Sequence, residues 1–285
     1  MQMYELPYLP VAGARATAVS GLRGGAVFET TDWVAEEVPV ALVYNGVSHA
    51  VMLASPSDLE DFAVGFSCSE GIVDSPAQIY DIELSETAQG ITLALDVASS
   101  CFVRLKDRRR SLAGRTGCGL CGTDSLAQAV RSPTPLTTMQ CFEAAAVSRA
   151  LARMRERQLL LGVTGASHAA AWCTADGEIT LLREDVGRHN ALDKLLGAAV
   201  RAGLPANMSL GEGFVAVTSR ASYEMVQKTA SAGVSLLAAV SGVTGLAIDT
   251  AQGCGVTLLG FARGQDLSVY SHADRIHLEV RNLEH

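Results

Sequence analysis

The second half of the chain alternates β-rich apolar runs with helical segments, and this alternation constrains the fold more than any other feature. Strands are predicted at residues 168–174, 178–184, 213–219, 234–241, 256–264 and 267–271. Helices are predicted between them, at residues 188–202, 221–233 and 243–253. Such alternation is typical of a mainly parallel sheet with right-handed crossovers and helices on both faces. We therefore predict an α/β fold.

The first half of the chain predicts a smaller α+β domain. Two β-rich runs in residues 38–54 flank Asn45-Gly46, a dipeptide that favours a tight hairpin turn because it tolerates positive φ. A proline and a Ser-x-x-Glu capping box from Ser57 to Glu60 predict the start of an apolar helix that ends near Gly71. Further strands are predicted at residues 79–84, 91–97 and 101–105.

A proline-rich stretch, Ser132-Pro133-Thr134-Pro135, predicts the boundary between the halves. We place an N-terminal domain at residues 15–132 and a second domain at 133–281, whose first helix is predicted at 137–157. Before the boundary, residues 106–130 combine a basic run with several glycines and predict a mobile loop. Residues 283–285, Leu-Glu-His, are interpreted as a tag remnant.

Composition excludes some classes of protein. The net charge of -8 argues against a protein that holds nucleic acid by bulk charge. Apolar runs such as residues 234–240 are much shorter than the roughly 20 residues of a membrane-spanning helix. The N-terminus lacks the pattern of a signal peptide, so we expect a soluble, cytoplasmic protein.

Seven cysteines, an odd number, do not suggest a disulfide framework. Five of them are scattered singly and are expected to be small buried hydrophobes: Cys68, Cys101, Cys141, Cys173 and Cys254.

Polar residues follow the predicted strands at the places where open α/β sheets bind ligands. These junctions contain three arginines and several hydroxyls, which together with free helix N–H groups would suit a phosphate or diphosphate. They include Arg188, Ser219, Arg220, Ser222, Ser241 and Arg263. The alternative is that the hydroxyls cap helices while the arginines pair with Glu184, Asp185 or Glu224. Three histidines, His49, His168 and His189, are interpreted as structural hydrogen bonders, although His189 could also carry a proton.

Two of the cysteines, Cys118 and Cys121, form a CxxC pair in a glycine-rich segment next to arginines. Positive charge and a following helix start lower the pKa of a thiol and favour a nucleophilic thiolate. The same segment matches GxGxxG, but the glycines do not directly follow a buried strand, so we reject a dinucleotide fingerprint.

Other chemistries fit the CxxC pair less well than sulfur transfer. Structural zinc would need four ligands, and no second pair with suitable spacing is visible. A thiol-disulfide oxidoreductase would carry the pair after a strand near a βαβ unit. A zinc deaminase would need HxE upstream, whereas His277-Leu278-Glu279 lies far downstream. A sulfur carrier, whose thiolate accepts sulfur as a persulfide and delivers it elsewhere, suits a pair on a loop.

Several motifs in a fixed order then become recognisable. They are GRTGCGLCGTDSL, TGASHAAAW, REDVGRHNALDKLLGAA, TSRASYEMVQKTASAGV and GFARG. With them, the chain resembles the FdhD family of formate dehydrogenase accessory sulfurtransferases over about residues 15 to 275. The resemblance implies a cytoplasmic homodimer with a cytidine-deaminase-like C-terminal domain that lacks the deaminase zinc site, and we expect no metal of its own.

The resemblance also implies a function and its residues. A pyridoxal-phosphate cysteine desulfurase would donate sulfur, which passes to the molybdenum of the bis(molybdopterin guanine dinucleotide) cofactor before its insertion into formate dehydrogenase. Cys118 matches the persulfide cysteine, Cys121 would assist, and the arginines at 108–115 would steer the loop. The cofactor-binding segment matches Phe261, Ala262, Arg263, Gly264, Gln265 and Asp266, and the guanine dinucleotide would also meet Ser219 and Arg220.

One alternative function and several departures accompany this resemblance. The alternative is a non-catalytic chaperone that binds the molybdenum cofactor and uses the CxxC pair as a redox latch. Ser268 stands where the family tends to have Asn, residues 241–244 replace a more usual Ser-Ala-Pro-Thr, and Cys68 replaces a small aliphatic residue. None of these departures affects the CxxC pair.

Overall fold

The computed structural model of the protein describes residues 11–113, 133–137, 140–203 and 212–278. Within these ranges, two larger sheets and seven α-helices form the body of the molecule. No helix among these residues is long and apolar enough to cross a membrane.

The N-terminal half contains a hairpin and a four-stranded sheet. Among the described residues, strands β1 (Ala14–Arg23) and β2 (Ala26–Ala35) pair only with each other, and the sequence analysis missed them. The sheet has the order β4-β3-β6-β5. Its strands are β3 (Val38–Tyr44), β4 (Val47–Ala54), β5 (Ile79–Thr87) and β6 (Gly90–Val97). The predicted turn between β3 and β4 is confirmed, with φ of 45° at Asn45 and 79° at Gly46.

Helix α1 (Leu59–Ser69) lies on this sheet, but the predicted capping box does not form. Asp58 takes the N-cap position in a left-handed conformation, with φ of 52°, and its side chain makes no capping hydrogen bond. Glu60 instead pairs with Arg201. The Ser-x-x-Glu pattern therefore predicted the helix correctly, but it did not predict the residue and conformation at the N-cap.

Helix α2 (Ser99–Ala113) corrects two predictions, the strand at 101–105 and the start of the loop at 106. Cys101 and Leu105 are both buried in the core of the N-terminal half, and their spacing of four residues places them on one face of a helix. The basic run is the polar continuation of this helix, so only residues after Ala113 remain candidates for a loop.

The C-terminal half is built on a six-stranded sheet with the order β13-β12-β11-β10-β8-β9. Its strands are β8 (His168–Thr174), β9 (Ile179–Asp185), β10 (Gly213–Val217), β11 (Leu236–Ala239), β12 (Thr257–Arg263) and β13 (Asp266–Ser271). The prediction of a mainly parallel sheet is wrong, because only β10-β11 and β11-β12 are parallel. Strands β8-β9 and β12-β13 are hairpins, and a hairpin can only be antiparallel.

Helices cover both faces of this sheet, as predicted. Helices α5 (Arg188–Arg201), α6 (Tyr223–Ser231) and α7 (Gly245–Cys254) pack on one face, and α3 (Ala144–Arg157) packs on the other. A short helix, α4 (Leu159–Thr164), contacts the β1–β2 hairpin. The predicted start of α3 at residue 137 is wrong, because β7 (Phe142–Glu143) precedes the helix and pairs with β14 (Ile276–His277).

The two halves meet where α1 crosses α5, and two glycines make this crossing close. A Cβ atom added to Gly65 would lie 1.7 Å from the carbonyl oxygen of Asp193, and one added to Gly197 would lie 1.8 Å from that of Asp61. The two helix backbones are therefore in direct contact. The predicted domain boundary at residues 132 and 133 stays a prediction.

Buried charges surround this helix crossing. The ammonium of Lys228 on α6 lies 3.0 Å from Asp193 and 2.8 Å from Glu70 of the N-terminal half. The hydroxyl of Ser69 donates to Asp193 at 2.7 Å. Lys228 and Asp193 are both buried, and Lys228 and Ser69 connect Asp193 to the N-terminal half, so this network holds the two halves in one arrangement.

Candidate functional site

Four strands of the C-terminal sheet end at one edge, and the loops that follow three of them, β10, β11 and β12, are joined by backbone hydrogen bonds. Strands β9, β10, β11 and β12 all run toward this edge. Ala221 donates to the carbonyl of Gly242 at 3.1 Å, and Phe261 donates to that of Ser241 at 3.0 Å. The structure thus brings together the junctions that the sequence analysis singled out.

The end of β12 presents an aromatic ring on this edge. The register of β12 against β13 shifts between Gly260 and Arg263, and within that bulge Phe261 adopts a left-handed conformation with φ of 51°. Its side chain is 49% exposed. A Cβ atom added to Gly242 would lie 3.2 Å from the ring, so the missing side chain there leaves room for it. An exposed ring held in this way offers a flat apolar surface to a planar ligand.

The carboxylates that could neutralise the arginines of this edge have other partners. Glu184 accepts from the backbone N–H groups of Leu160 and Leu161, at 2.9 and 3.0 Å. Asp185 is fully buried and pairs with Lys194 at 2.6 Å. Glu224 accepts from His189. The part of the alternative in which the arginines pair with these acids is therefore wrong, whereas its other part holds at Thr244, whose hydroxyl caps α7 by accepting from the backbone N–H of Ala247.

Arg188, Arg220 and Arg263 form no ion pair with any residue in the part of the chain that the structure describes. Arg220 is exposed, and Arg263 is exposed with its Nε donating to the carbonyl of Val240 at 2.9 Å. Ser219 is buried, and its hydroxyl donates to the carbonyl of Arg220 at 3.0 Å. The edge therefore carries positive charge that is available to an anion.

The remaining residues of the predicted cofactor segment form the turn between β12 and β13. Ala262 is buried, whereas Gly264, Gln265 and Asp266 are exposed, and Gly264 supplies the positive φ of 60° that the turn requires. The segment thus combines one buried anchor with a solvent-facing turn.

His189 has a carboxylate partner that the sequence did not reveal. Its Nε2 lies 2.8 Å from Glu224 and 3.4 Å from the hydroxyl of Ser222. The hydrogen bond from His189 lowers the pKa of Glu224. The two residues lie 35 positions apart on α5 and α6, and no local spacing indicates such a pair. The predicted strand positions of His49 and His168 are confirmed.

Cys118, Cys121 and Arg115 lie outside the described residues, which end at Ala113 before this segment. The expectation for the scattered cysteines holds for four of the five, since Cys68, Cys101, Cys173 and Cys254 are buried. Burial raises the pKa of Cys68 and of Cys173 to about 12 and also raises that of Cys254. Cys141 is exposed, so the expectation of burial is wrong there.

Comparisons with known proteins give consistent results over almost the whole chain. A family model described as the FdhD/NarQ family matches residues 35–277. The chain is 54% identical over 276 residues to the "Sulfur carrier protein FdhD" of Variovorax paradoxus, covering 97% of this chain and 98% of the relative. It is 55% identical over 263 residues to the protein of the same description from Cupriavidus necator, covering 92% and 90%.

The fold also resembles a solved structure. It superposes with a TM-score of 0.69 on the crystal structure of a candidate formate dehydrogenase accessory protein from Desulfotalea psychrophila, covering 93% of this chain and 99% of that chain. Sequence identity between the two is 23%, so the likeness concerns the fold alone.

Proposed function

The chain belongs to the FdhD/NarQ family, and from that premise we propose that it is a sulfur carrier that serves formate dehydrogenase. In this proposal it takes sulfur from a cysteine desulfurase as a persulfide on Cys118. It passes that sulfur to the bis(molybdopterin guanine dinucleotide) molybdenum cofactor, acting as a cytoplasmic homodimer. The observation that supports the proposal most is the near full-length identity to relatives that are named sulfur carrier proteins.

The first step needs no oxidant or reductant. The Cys118 thiolate attacks the outer sulfur of the donor persulfide, a new S–S bond forms, and the thiolate of the desulfurase leaves. The arginines near Cys118 in the sequence favour its thiolate form. Cys68 and Cys173 of the described core do not compete for this sulfur, because they are buried and burial raises the pKa of each thiol to about 12.

Cys121 would complete the transfer. When its thiolate attacks the inner sulfur of the Cys118 persulfide, hydrosulfide leaves toward the cofactor and a disulfide between Cys118 and Cys121 forms. A cellular dithiol then reduces that disulfide and restores the two thiols. In this assignment the molybdenum cofactor is the substrate that receives the sulfur.

The cofactor would bind at the sheet edge that contains Phe261 and Arg263. The aromatic ring provides a surface for a guanine base, and the unpaired guanidinium provides charge for a phosphate. The loop after β11 lies beside this ring, because the carbonyl of Ser241 accepts from the backbone N–H of Phe261. These features support a nucleotide-binding edge that is separate in sequence from the cysteine pair.

Intact-mass measurement after incubation with a cysteine desulfurase and free cysteine tests the proposal. Wild type should gain sulfur that dithiothreitol removes, and Cys118→Ala should gain none. Cys141→Ala, which removes an exposed thiol outside the pair, should behave like wild type. An equal gain in wild type and Cys118→Ala would show that the persulfide assignment is wrong.

The second candidate function is the cofactor chaperone with a redox-active CxxC pair. The unpaired arginines of the sheet edge favour it, since they would bind a nucleotide without any help from a thiol. Formate dehydrogenase activity in cells that contain only Cys118→Ala separates the two functions. Sulfur transfer predicts an inactive dehydrogenase, whereas the chaperone function predicts an active one.

A further inference from the structure

Strand β5 lies at one edge of the N-terminal sheet, and its outer side pairs with no strand that the structure describes. Its nine residues, Ile79–Thr87, contain neither lysine nor proline, two residue types that protect natural edge strands from further pairing. The register against β6 shifts only at the start of the strand, between Ile79 and Asp81. The rest of β5 therefore offers a row of main-chain N–H and C=O groups to one more strand.

A groove of about 440 Å³ lies beside the start of β5, between this strand, α1 and the end of α5. Its size falls within the range of small ligand pockets, about 300 to 1,000 Å³. Charged groups of Glu60, Asp81 and Arg201 line it. Part of the remaining lining is apolar and comes from Val64, Ile79, Ile82 and Val200. An apolar wall next to carboxylates suits a long cationic side chain, which has an aliphatic stem and a charged end.

The cation of this groove is already neutralised, whereas one of its carboxylates is not. Arg201 pairs with Glu60 and, at 2.7 Å, with Asp61. Asp81 forms no ion pair with any residue in the described ranges. It also lies opposite Asp96 of β6 in the sheet register, and both residues are exposed. Because like charges opposite each other destabilise a sheet, a cation from a partner would relieve this repulsion at the start of β5.

Negative charge continues along β5 and indicates which kind of strand fits its edge. Glu83 and Glu86 are exposed, and neither forms an ion pair with a residue that the structure describes. Ile82 packs on the core, so Asp81 and Glu83 lie on the opposite face of the sheet. A second copy of this chain that paired through β5 would bring these acids together, which is unfavourable. The edge therefore fits a strand with lysines or arginines at alternate positions.

We propose that the edge of β5 binds an extended basic segment of a partner protein. The segment adds to the four-stranded sheet as a fifth strand, and one of its lysines or arginines enters the groove beside Asp81. Main-chain hydrogen bonds supply the affinity, and the acids of β5 select a basic sequence. The surface includes neither the cysteine pair nor the segment at residues 261–266, so this proposal does not rest on the proposed function.

Fluorescence anisotropy with a labelled peptide as long as β5, in which lysine and valine alternate, tests this surface. Wild type should bind the peptide, and Asp81→Lys should bind it about tenfold or more weakly, because a like charge then lines the groove. Glu29→Lys is the matched control, since it makes the same change of charge at an exposed residue of β2, outside this sheet, and it should bind like wild type. No binding to wild type, unchanged affinity in Asp81→Lys, or equal losses in both variants would overturn the proposal.

Two further measurements use only the wild-type protein and test the strand pairing itself. Successive N–H groups point to opposite sides of a strand, so a peptide with proline at two adjacent central positions must lose a donor to β5. It should bind about tenfold more weakly than a peptide with alanine at the same two positions. The amide protons of residues 81–87 should also exchange more slowly with solvent when the lysine-valine peptide is bound. Equal binding of the proline and alanine peptides, or unchanged exchange along β5, would overturn the fifth strand.

Discussion

At the scale of single residues, the chemistry of the sheet edge follows from which charges are already paired. The sequence left open whether the arginines at the junctions bind an anion or pair with nearby acids. In the structure Glu184 accepts from backbone N–H groups and Asp185 pairs with a lysine, so neither acid pairs with these arginines. Such long-range partners are set by tertiary packing and leave no local pattern, which is why the residue types could be predicted but their pairing could not.

Replacing Arg263 by Ala should weaken guanine nucleotide binding. Arg263 is exposed and free of ion pairs with described residues, so its charge is available to a phosphate. The loss of one charge-assisted contact should cost about 1.5 to 3 kcal/mol of binding free energy, measured by calorimetry with GDP. Arg155→Ala serves as the control and should bind normally. Unchanged affinity in Arg263→Ala would move the nucleotide elsewhere.

His168 should make the stability of the protein depend on pH. Burial and Arg188 lower its pKa in the folded state, so the unfolded chain binds a proton more readily. The free energy of unfolding should therefore fall as the pH drops below about 6.5, the ordinary pKa of histidine. Urea unfolding at pH 7.5 and pH 5.5 should show a smaller difference for His168→Gln than for wild type. An identical difference would contradict this assignment.

At the scale of elements, the segments with the clearest local signals were predicted best. The Asn45-Gly46 hairpin and the alternation in residues 168–271 are in place, because turn chemistry and apolar periodicity act locally. Residues 99–113 were predicted poorly. Next to a run of arginines, the helical spacing of Cys101 and Leu105 was not recognised, although both residues lie on the buried face of the helix. The direction of each strand in the sheet depends on which neighbours are hairpins, and that follows only from the assembled fold.

The crossing of α1 and α5 should tolerate no side chain at its closest point. In Gly65→Ala, the new Cβ would clash with the backbone carbonyl of Asp193, which cannot move without shifting α5. We expect a loss of at least about 3 kcal/mol in the free energy of unfolding, at the upper end of overpacking effects. Urea unfolding followed by circular dichroism measures it.

Gly253→Ala is the matched control for this crossing. It is also a glycine in a helix, but nothing lies within 4 Å of a Cβ added there. Its stability should stay the same or rise by up to about 1 kcal/mol, because alanine favours helix more than glycine does. Equal losses in the two variants would show that helix propensity, and not the close crossing, governs both positions.

At the scale of the whole molecule, buried charges make the two halves depend on each other. Lys228 of the C-terminal half contacts Asp193 of its own half and Glu70 of the other. The sequence predicted a boundary at residues 132 and 133 but did not indicate this network. A single charged residue in a sequence is usually interpreted as exposed to solvent, and the partners of Lys228 are distant in the sequence. The cytidine-deaminase-like character of the C-terminal half stays a prediction.

Lys228→Met should therefore destabilise the whole chain. Removing the ammonium leaves Asp193 buried without its counter-charge, which should cost about 3 to 5 kcal/mol in the free energy of unfolding. The double variant Lys228→Met with Asp193→Asn should lose less, since no unpaired charge remains. Far-UV circular dichroism and tryptophan fluorescence, from Trp33 in β2 and Trp172 in β8, should report one shared transition. Two separate transitions would show that the halves unfold independently.

The burial of four cysteines bears on how selectively sulfur would be placed on the intended cysteine in the proposed function. Persulfide exchange is promiscuous toward any thiolate that it meets, so a carrier must limit the places where sulfur is misplaced. Cys68, Cys101, Cys173 and Cys254 are withheld from solvent by the core. If sulfur is carried as proposed, the core keeps these four thiols away from the persulfide, so their burial would limit transfer to the wrong cysteine.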